Sequence, residues 1–316
     1  MNTLAILCLL CLTFGLSQQT SQDDEWQTWK QTHQKSYSNY KEEMYRRKIW
    51  QKKMNHINVH NNRVDKQYTL QMNRFGDQES MTKKKLIPQL QRPITLKQDN
   101  LVSSGDAAAP TSFDWRTKGV IGAVSNQGQI GDVEAIVAAE SVASLQAIKT
   151  GQLFNLSAEE IDDCGCGEQL LIKDIFGCIR SKIGGLCTTQ TYKQSPTQTC
   201  NKESCQAVGM VSGTNFIPHG DEAEMGKAIL KSPLMVYVDA SHPSFEMYSE
   251  GIYAEDSCSQ SQIDHVLQVV GYGQRDNKSY WICKNSWGES WGINGYIWIE
   301  RGRNMCGIAS LAIYPY

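Results

Sequence analysis

The stretch Asn126-Gln-Gly-Gln-Ile-Gly-Asp-Val-Glu-Ala-Ile-Val137 passes from a polar, glycine-punctuated segment into an apolar-periodic one. From Asp132 to Thr150 the residues Val133, Ile136, Val137, Ala139, Val142, Leu145 and Ile148 recur on one side of a helix, and Gly151 stops it. Two later segments hold polar groups suited to serve that helix start. They are Asp264-His-Val-Leu-Gln-Val-Val-Gly-Tyr-Gly273 and Lys284-Asn-Ser-Trp-Gly-Glu-Ser-Trp-Gly292.

Outward from this stretch, the pattern divides the chain. Ser157-Ala-Glu-Glu160 is a capping-box signal for a second helix. From Val208 onward strands are favoured. Leu234-Met-Val-Tyr-Val-Asp239 is a continuous apolar run of buried-strand length, and His265 to Tyr272, Tyr280 to Lys284 and Gly295 to Glu300 follow. Gly271-Tyr-Gly273 is taken as a turn and not a phosphate loop, because no helix signal or Lys-Ser/Thr follows it. A helical half followed by a strand-rich half is an α+β arrangement. Upstream, Asp23 to Asn62 has no Pro or Gly and spaces Trp26, Trp29, Tyr37, Tyr45, Ile49, Trp50, Met54 and Ile57 helically. Lys83 to Ala109 has linker composition, with Pro88, Pro93 and the run Gly105-Asp-Ala-Ala-Ala109.

The 316 residues, 40% of them hydrophobic, suffice for a large core in one or two domains. Leu4 to Leu16 is too short to span a bilayer; with Gly15-Leu16-Ser17 it reads as a signal peptide, although no Lys or Arg precedes it. The destination expected is secreted or lysosomal, with no membrane span. Residues 18–109 carry 16 Lys and Arg against 10 Asp and Glu, and residues 110–316 carry 15 against 23. That imbalance suggests a basic segment docking on an acidic body and gives no reason to invoke nucleic acid. Of eleven cysteines, nine remain beyond the signal. No pair of C-x-x-C motifs is present, so neither metal nor cofactor is expected. In a secreted chain they form disulfides with one left over, and Cys283, in the apolar run Tyr280-Trp-Ile-Cys-Lys284, is the candidate free thiol. Asn155-Leu-Ser157 and Asn277-Lys-Ser279 are glycosylation sequons.

The three quoted segments together resemble the papain family of cysteine proteases, of the cathepsin-L-like kind. That family has Gln-Gly-x-Cys-Gly-Ser-Cys-Trp-Ala-Phe-Ser where this chain has Gln127 to Val137. Glu42, Arg46, Trp50, Ile57 and Asn61, then Asn73, Phe75 and Asp77, follow two propeptide motifs of the same family; Lys53 and Gln71 depart from them. The resemblance implies a two-lobed fold, with a helical left lobe and an antiparallel β-barrel-like right lobe, preceded by a helical propeptide domain. It divides the chain into residues 1–17, 18–109 and 110–316. It also implies disulfides Cys164–Cys200 and Cys258–Cys306.

Carried over by position, Gln127 is the oxyanion donor, His265 the imidazole, Asn285 its orienting partner and Trp287 its shield. The nucleophile falls on Val133, which has no lone pair and no ionisable proton. Ile130 stands where the family has a cysteine, stranding Cys166 unless it pairs with Cys178, Cys187 or Cys205. Glu134 stands where the family has Trp. Glu168 and Gln169 stand where its cleft-wall glycines let substrate backbone approach. Asp132 and Glu134 complement a helix N-terminus; alternatively one of them pairs with His265 and keeps it charged. The function expected is a catalytically inactive homologue that holds a peptide or protein in the former cleft, or is regulatory through its propeptide. The alternatives are an active cysteine endopeptidase and a structural extracellular component.

Overall fold

The computed structural model describes residues 22–79, 110–128, 132–167, 174–193 and 199–316. The signal-peptide and linker expectations, and those for Ile130, Glu168 and Gln169, lie outside the described residues. The chain forms two compact units, one of residues up to 62 with 72–79, the other of 63–71 with 80–316.

In the first unit, the helix expected over Asp23–Asn62 is two helices: α1 over residues 22–32 and α2 at Tyr40–Asn61. The break is chemical. Gln34 adopts a left-handed φ of 51°, and the Asn39 side chain accepts from the Glu42 N–H to start α2 afresh. Glu42 in turn accepts from the Ser38 backbone, so the orphan donors of the new N-terminus are met locally. Trp26, Trp29 and Trp50 form the core, with Tyr37, Met54 and Met72 against it. Lys53, a departure from the motif, is buried and donates to the Phe75 carbonyl at 2.8 Å.

Among the described residues of the second unit, nine strands make one sheet in the order β1-β5-β8-β7-β6-β4-β9-β3, with β2 pairing β6. They are β1 Tyr68–Leu70, β2 Phe113–Asp114, β3 Thr214–Phe216, β4 Leu234–Val238, β5 Tyr248–Tyr253, β6 His265–Arg275, β7 Lys278–Lys284, β8 Tyr296–Glu300 and β9 Ala312–Pro315. Its pairings are antiparallel except β5 with β8, which is parallel. β4 is buried at every position, in keeping with its unbroken apolar run.

Helix α3, Val133–Thr150, has Asp132 as N-cap and Gly151 as left-handed C-cap. Its Val137, Ala138 and Val142 pack with Met235 and Tyr237 of β4, Val266 of β6 and Ile313 of β9. α4, Ala158–Asp163, is capped by Ser157. The Glu160 carboxylate, expected to complete that capping box, instead accepts from the Cys187 N–H at 2.8 Å.

Gly271-Tyr-Gly273 is not a turn but lies inside β6, next to a register shift between Val269 and Gly271. A Cβ at Gly271 would stand 2.2 Å from the Phe113 carbonyl oxygen, so the glycine is what lets β2 approach. The turn is Asp276-Asn277, both at positive φ, matching the twist of a two-residue hairpin.

Among the described residues the disulfides are Cys164–Cys200, Cys166–Cys178, Cys187–Cys205 and Cys258–Cys306, and Cys283 is free and buried. Of the three partners left open for Cys166, Cys178 is the one it bonds. No described helix is long and apolar enough to cross a membrane.

Gly271→Ala should cost about 1–3 kcal/mol by overpacking β2 against β6. Gly122→Ala, where an added Cβ meets nothing within 4 Å, should stay within about 0.5 kcal/mol. Urea titration of both variants measures the contrast.

Candidate active-site cleft

The site lies in the second unit and begins with a backbone clasp. The Gln127 N–H donates to the Ser286 carbonyl at 2.8 Å, the Gly288 N–H donates to Ser125 at 2.9 Å, and Asn126 bridges to Trp287. The Ser286 hydroxyl donates to Gln127 Oε1. With its amide oxygen so engaged, Gln127 keeps its Nε2 hydrogens for another acceptor.

His265 opens β6 and Asn285 follows β7. His265 Nε2 lies 2.8 Å from Asn285 Oδ1, and that oxygen also accepts from the Ser286 N–H at 2.8 Å. The imidazole therefore carries its proton on Nε2 and presents Nδ1 as an acceptor. Trp287 packs against the imidazole with ring centroids 4.9 Å apart, and Phe245 lies edge-on at 6.2 Å. His265 is only 2% exposed. Burial pulls its pKa down to about 4, against a smaller upward pull from Asn285.

Val133 is the first residue of α3, half-buried, and packs against the core cluster that contains Val266 and Tyr237. Asp132 accepts from the backbone N–H groups of Glu134 and Ala135, so its carboxylate is spent on the helix end. Glu134 is buried beside the phenol of Tyr237. Burial first, then the charges of Glu134 and Asp132, hold that phenol well above its usual range. Neither acid charges His265, which the low pKa leaves neutral. Of the two readings offered for these acids, the helix-end one describes Asp132, which caps α3, and the alternative pairing with His265 is not what the structure shows.

Three participants escaped the sequence reading. Tyr237 was hidden in the apolar run of β4. Ser286 sat unremarked between Asn285 and Trp287. Lys284, with its side chain fully buried, pairs with Glu140 at 2.9 Å, and Ser125 also donates to Glu140 at 2.7 Å. A single acid inside the apolar helix sequence Ala135–Ala143 was the available signal for that pair.

A family model described as papain family cysteine protease matches residues 109–316. The chain belongs to the papain family. A second model, the cathepsin propeptide inhibitor domain (I29), matches residues 26–81. Mouse (Mus musculus) procathepsin L is 36% identical over 100% of this chain and 99% of its own length. Mouse cathepsin K is 33% identical over 98% of each chain. Among solved structures, a digestive procathepsin L 3 from the larval midgut of Tenebrio molitor superposes with a TM-score of 0.78 at 30% identity, covering 93% of this chain and 98% of its own. A recombinant stem bromelain precursor gives 0.79 at 30% identity with the same coverage. The fold is thus the α+β papain-like fold with a helical propeptide-type segment ahead of it.

His265 should titrate near pH 4 by NMR of its ring protons, and Asn285→Ala should lower the midpoint further, since the lost hydrogen bond favours the charged form. A pKa below the unfolded value of 6.5 means that the fold prefers the neutral ring. Its stabilising contribution is therefore complete above pH 6.5 and lost as the pH falls toward 4, a change of about 3 kcal/mol. His265→Gln should flatten the denaturation-versus-pH curve across that window.

Proposed function

We propose that this chain is a papain-family homologue that does not cleave peptides, and that it holds a peptide or protein in the former substrate cleft. The observation that carries the reading is Val133 at the head of α3. A papain-type reaction needs a thiolate at that helix end, beside an imidazole that protonates the leaving amine. Valine supplies neither a nucleophilic atom nor a proton, and the neutral, buried His265 has nothing to activate. Loss of the nucleophile in a serine-protease triad costs roughly 10⁶ in turnover. An oxyanion site alone leaves on the order of 10³–10⁴ over water, too little for peptide bonds.

The recognition half of the site supports a binding role. The Gln127 Nε2 donors and the N-terminus of α3 can receive a peptide carbonyl. Gln127, His265 and Asn285 then act as relic positions that grip without reacting. The N-terminal propeptide-type segment is the chain's own candidate partner. Secretion or delivery to a lysosome, with glycans at Asn155 and Asn277, belongs to this reading.

Full-length protein should give no turnover of fluorogenic dipeptides, and thiol-reactive active-site probes should label nothing. Cys283 is buried with its pKa raised by desolvation, and the other described cysteines are bonded. Val133→Cys should restore little activity. The acids at 132 and 134 oppose a thiolate beside them, and Glu134 occupies the place of a packed Trp. Turnover by the unaltered chain that disappears in His265→Ala would overturn the proposal.

A further inference from the structure

The strand-rich part holds a cluster of metal-ligating side chains that the cleft does not use. Asp239 follows β4, His242 precedes the short helix Pro243–Glu246, and Cys258 lies in the loop after β5. Cys258 is bonded to Cys306, in the 3-10 turn Met305–Gly307. One ligand atom each of Asp239, His242 and Cys258 lie within 4.8 Å of one another, and the bonded Cys306 sulfur supplies a fourth. His242 Nε2 is 3.5 Å from Asp239 Oδ2. Tetrahedral zinc, with bonds of about 2.0–2.1 Å to such atoms, holds two of them roughly 3.3 Å apart. One edge of a zinc tetrahedron is therefore already in place. The four residues stand at 239, 242, 258 and 306, a spacing that no short sequence motif describes.

Hydrogen bonds hold this cluster independently of the sulfur–sulfur bond. Asp239 is buried, and its N–H donates to the Cys306 carbonyl at 2.8 Å. Its Oδ2 accepts from the Ser259 N–H at 2.7 Å, which ties the Cys258 loop to the end of β4. Its Oδ1 accepts from the Ser241 N–H and hydroxyl, at 3.0 and 2.6 Å. His242 Nδ1 faces the Ser257 hydroxyl at 3.5 Å, an outer partner of the kind that fixes the ring of a metal-bound histidine. On the Cys306 side, the Asn304 carbonyl accepts from the Gly307 N–H at 3.0 Å and its side chain from the Ala309 N–H at 2.7 Å. Opening the bridge thus frees two thiols into a frame that already holds a carboxylate and an imidazole. Cys258 is only half-buried, which gives a reductant access.

We propose that this cluster is a latent zinc site, in which reduction exchanges the Cys258–Cys306 bridge for a tetrahedron of two thiolates, an imidazole and a carboxylate. A dithiol reductant breaks the sulfur–sulfur bond: two electrons and two protons pass to Cys258 and Cys306, and the dithiol closes to its own disulfide. Zn2+ then displaces the two thiol protons to solvent and binds both sulfurs, His242 Nε2 and Asp239 Oδ2. The ion keeps the Cys258 loop, the turn at 305–307 and the end of β4 joined where thiols open the bridge. Among the described residues a second cluster, Glu160 with Cys187 and Cys205, lacks an imidazole and offers three ligands. The zinc site does not rest on the loss of catalysis, because none of its ligands belongs to the cleft machinery.

The test reduces the full-length protein with dithiothreitol, removes the reductant by gel filtration without air, and titrates with Co2+ and then Zn2+. One Co2+ should bind with the strong visible bands of a tetrahedral ion and a thiolate-to-cobalt band, and Zn2+ should displace it. His242→Ala and Asp239→Asn leave every cysteine in place. Each should weaken binding by more than the roughly 10–100-fold that losing an outer partner costs. Cys258→Ser with Cys306→Ser should abolish the bands, while Cys187→Ser with Cys205→Ser should leave them unchanged. Circular dichroism of each reduced, metal-treated protein checks that the sheet persists. Tetrahedral bands that require both His242 and the Cys258–Cys306 pair support the proposal. Absent bands, bands that survive in His242→Ala or in the Cys258→Ser, Cys306→Ser protein, or unfolding of the reduced, unsubstituted chain overturn it.

Discussion

The buried ion pair between Lys284 and Glu140 sets the geometry of the cleft. An ammonium with no exposed side-chain surface cannot be left without a counter-charge, since removing one partner of such a pair costs several kcal/mol. Glu140 projects from the second turn of α3 and Lys284 ends β7, so their contact fixes the helix against the sheet. Asn285, the next residue, then holds His265, and Ser286 holds Gln127. One electrostatic requirement thus positions a chain of neighbouring hydrogen bonds, and it does so whether or not residue 133 can react.

At the helix head, Val133 is flanked by two acids and lies in the same unit as a buried, neutral imidazole. A thiolate would favour a charged imidazole beside it; here burial dominates and keeps the ring neutral. The acids at 132 and 134 would be unwelcome beside a thiolate, yet each has a defined structural task. Asp132 satisfies two backbone donors, and Glu134 meets the Tyr237 phenol across the helix–sheet packing. The charges around the head of α3 thus answer to the helix end and to the packing against β4.

Much of this was legible in the residues. The span of α3 followed from its apolar spacing, Asp132 and Gly151, and β4 from its unbroken run, because one chemical pattern dominated each. The break between α1 and α2 was missed because apolar spacing continued across it, while the Asn39 cap acted only through local hydrogen bonds. Gly271 was misread because a glycine that admits a neighbouring strand cannot be told from one that turns the chain until the neighbour is known. In the site, Gln127, His265, Asn285 and Trp287 stood out through resemblance. Tyr237 did not, since its partner Glu134 is about a hundred residues away. Pairing of Cys166 with Cys178 was likewise one of three open choices that only three-dimensional proximity could separate.

The placement of the disulfides gives the body an uneven dependence on its surroundings. Three of the four observed bridges lie between residues 164 and 205, a stretch of short helical turns, whereas Cys258–Cys306 is the one bridge within the strand-rich part. Cross-links matter most where few regular hydrogen bonds do the same job. A reducing environment would remove three cross-links from the helical flank and one from the strand-rich part, where the ladders around His265 remain. Oxidising conditions thus hold the helical flank at three points and the strand-rich part at one, the bridge that closes the longest loop of the four.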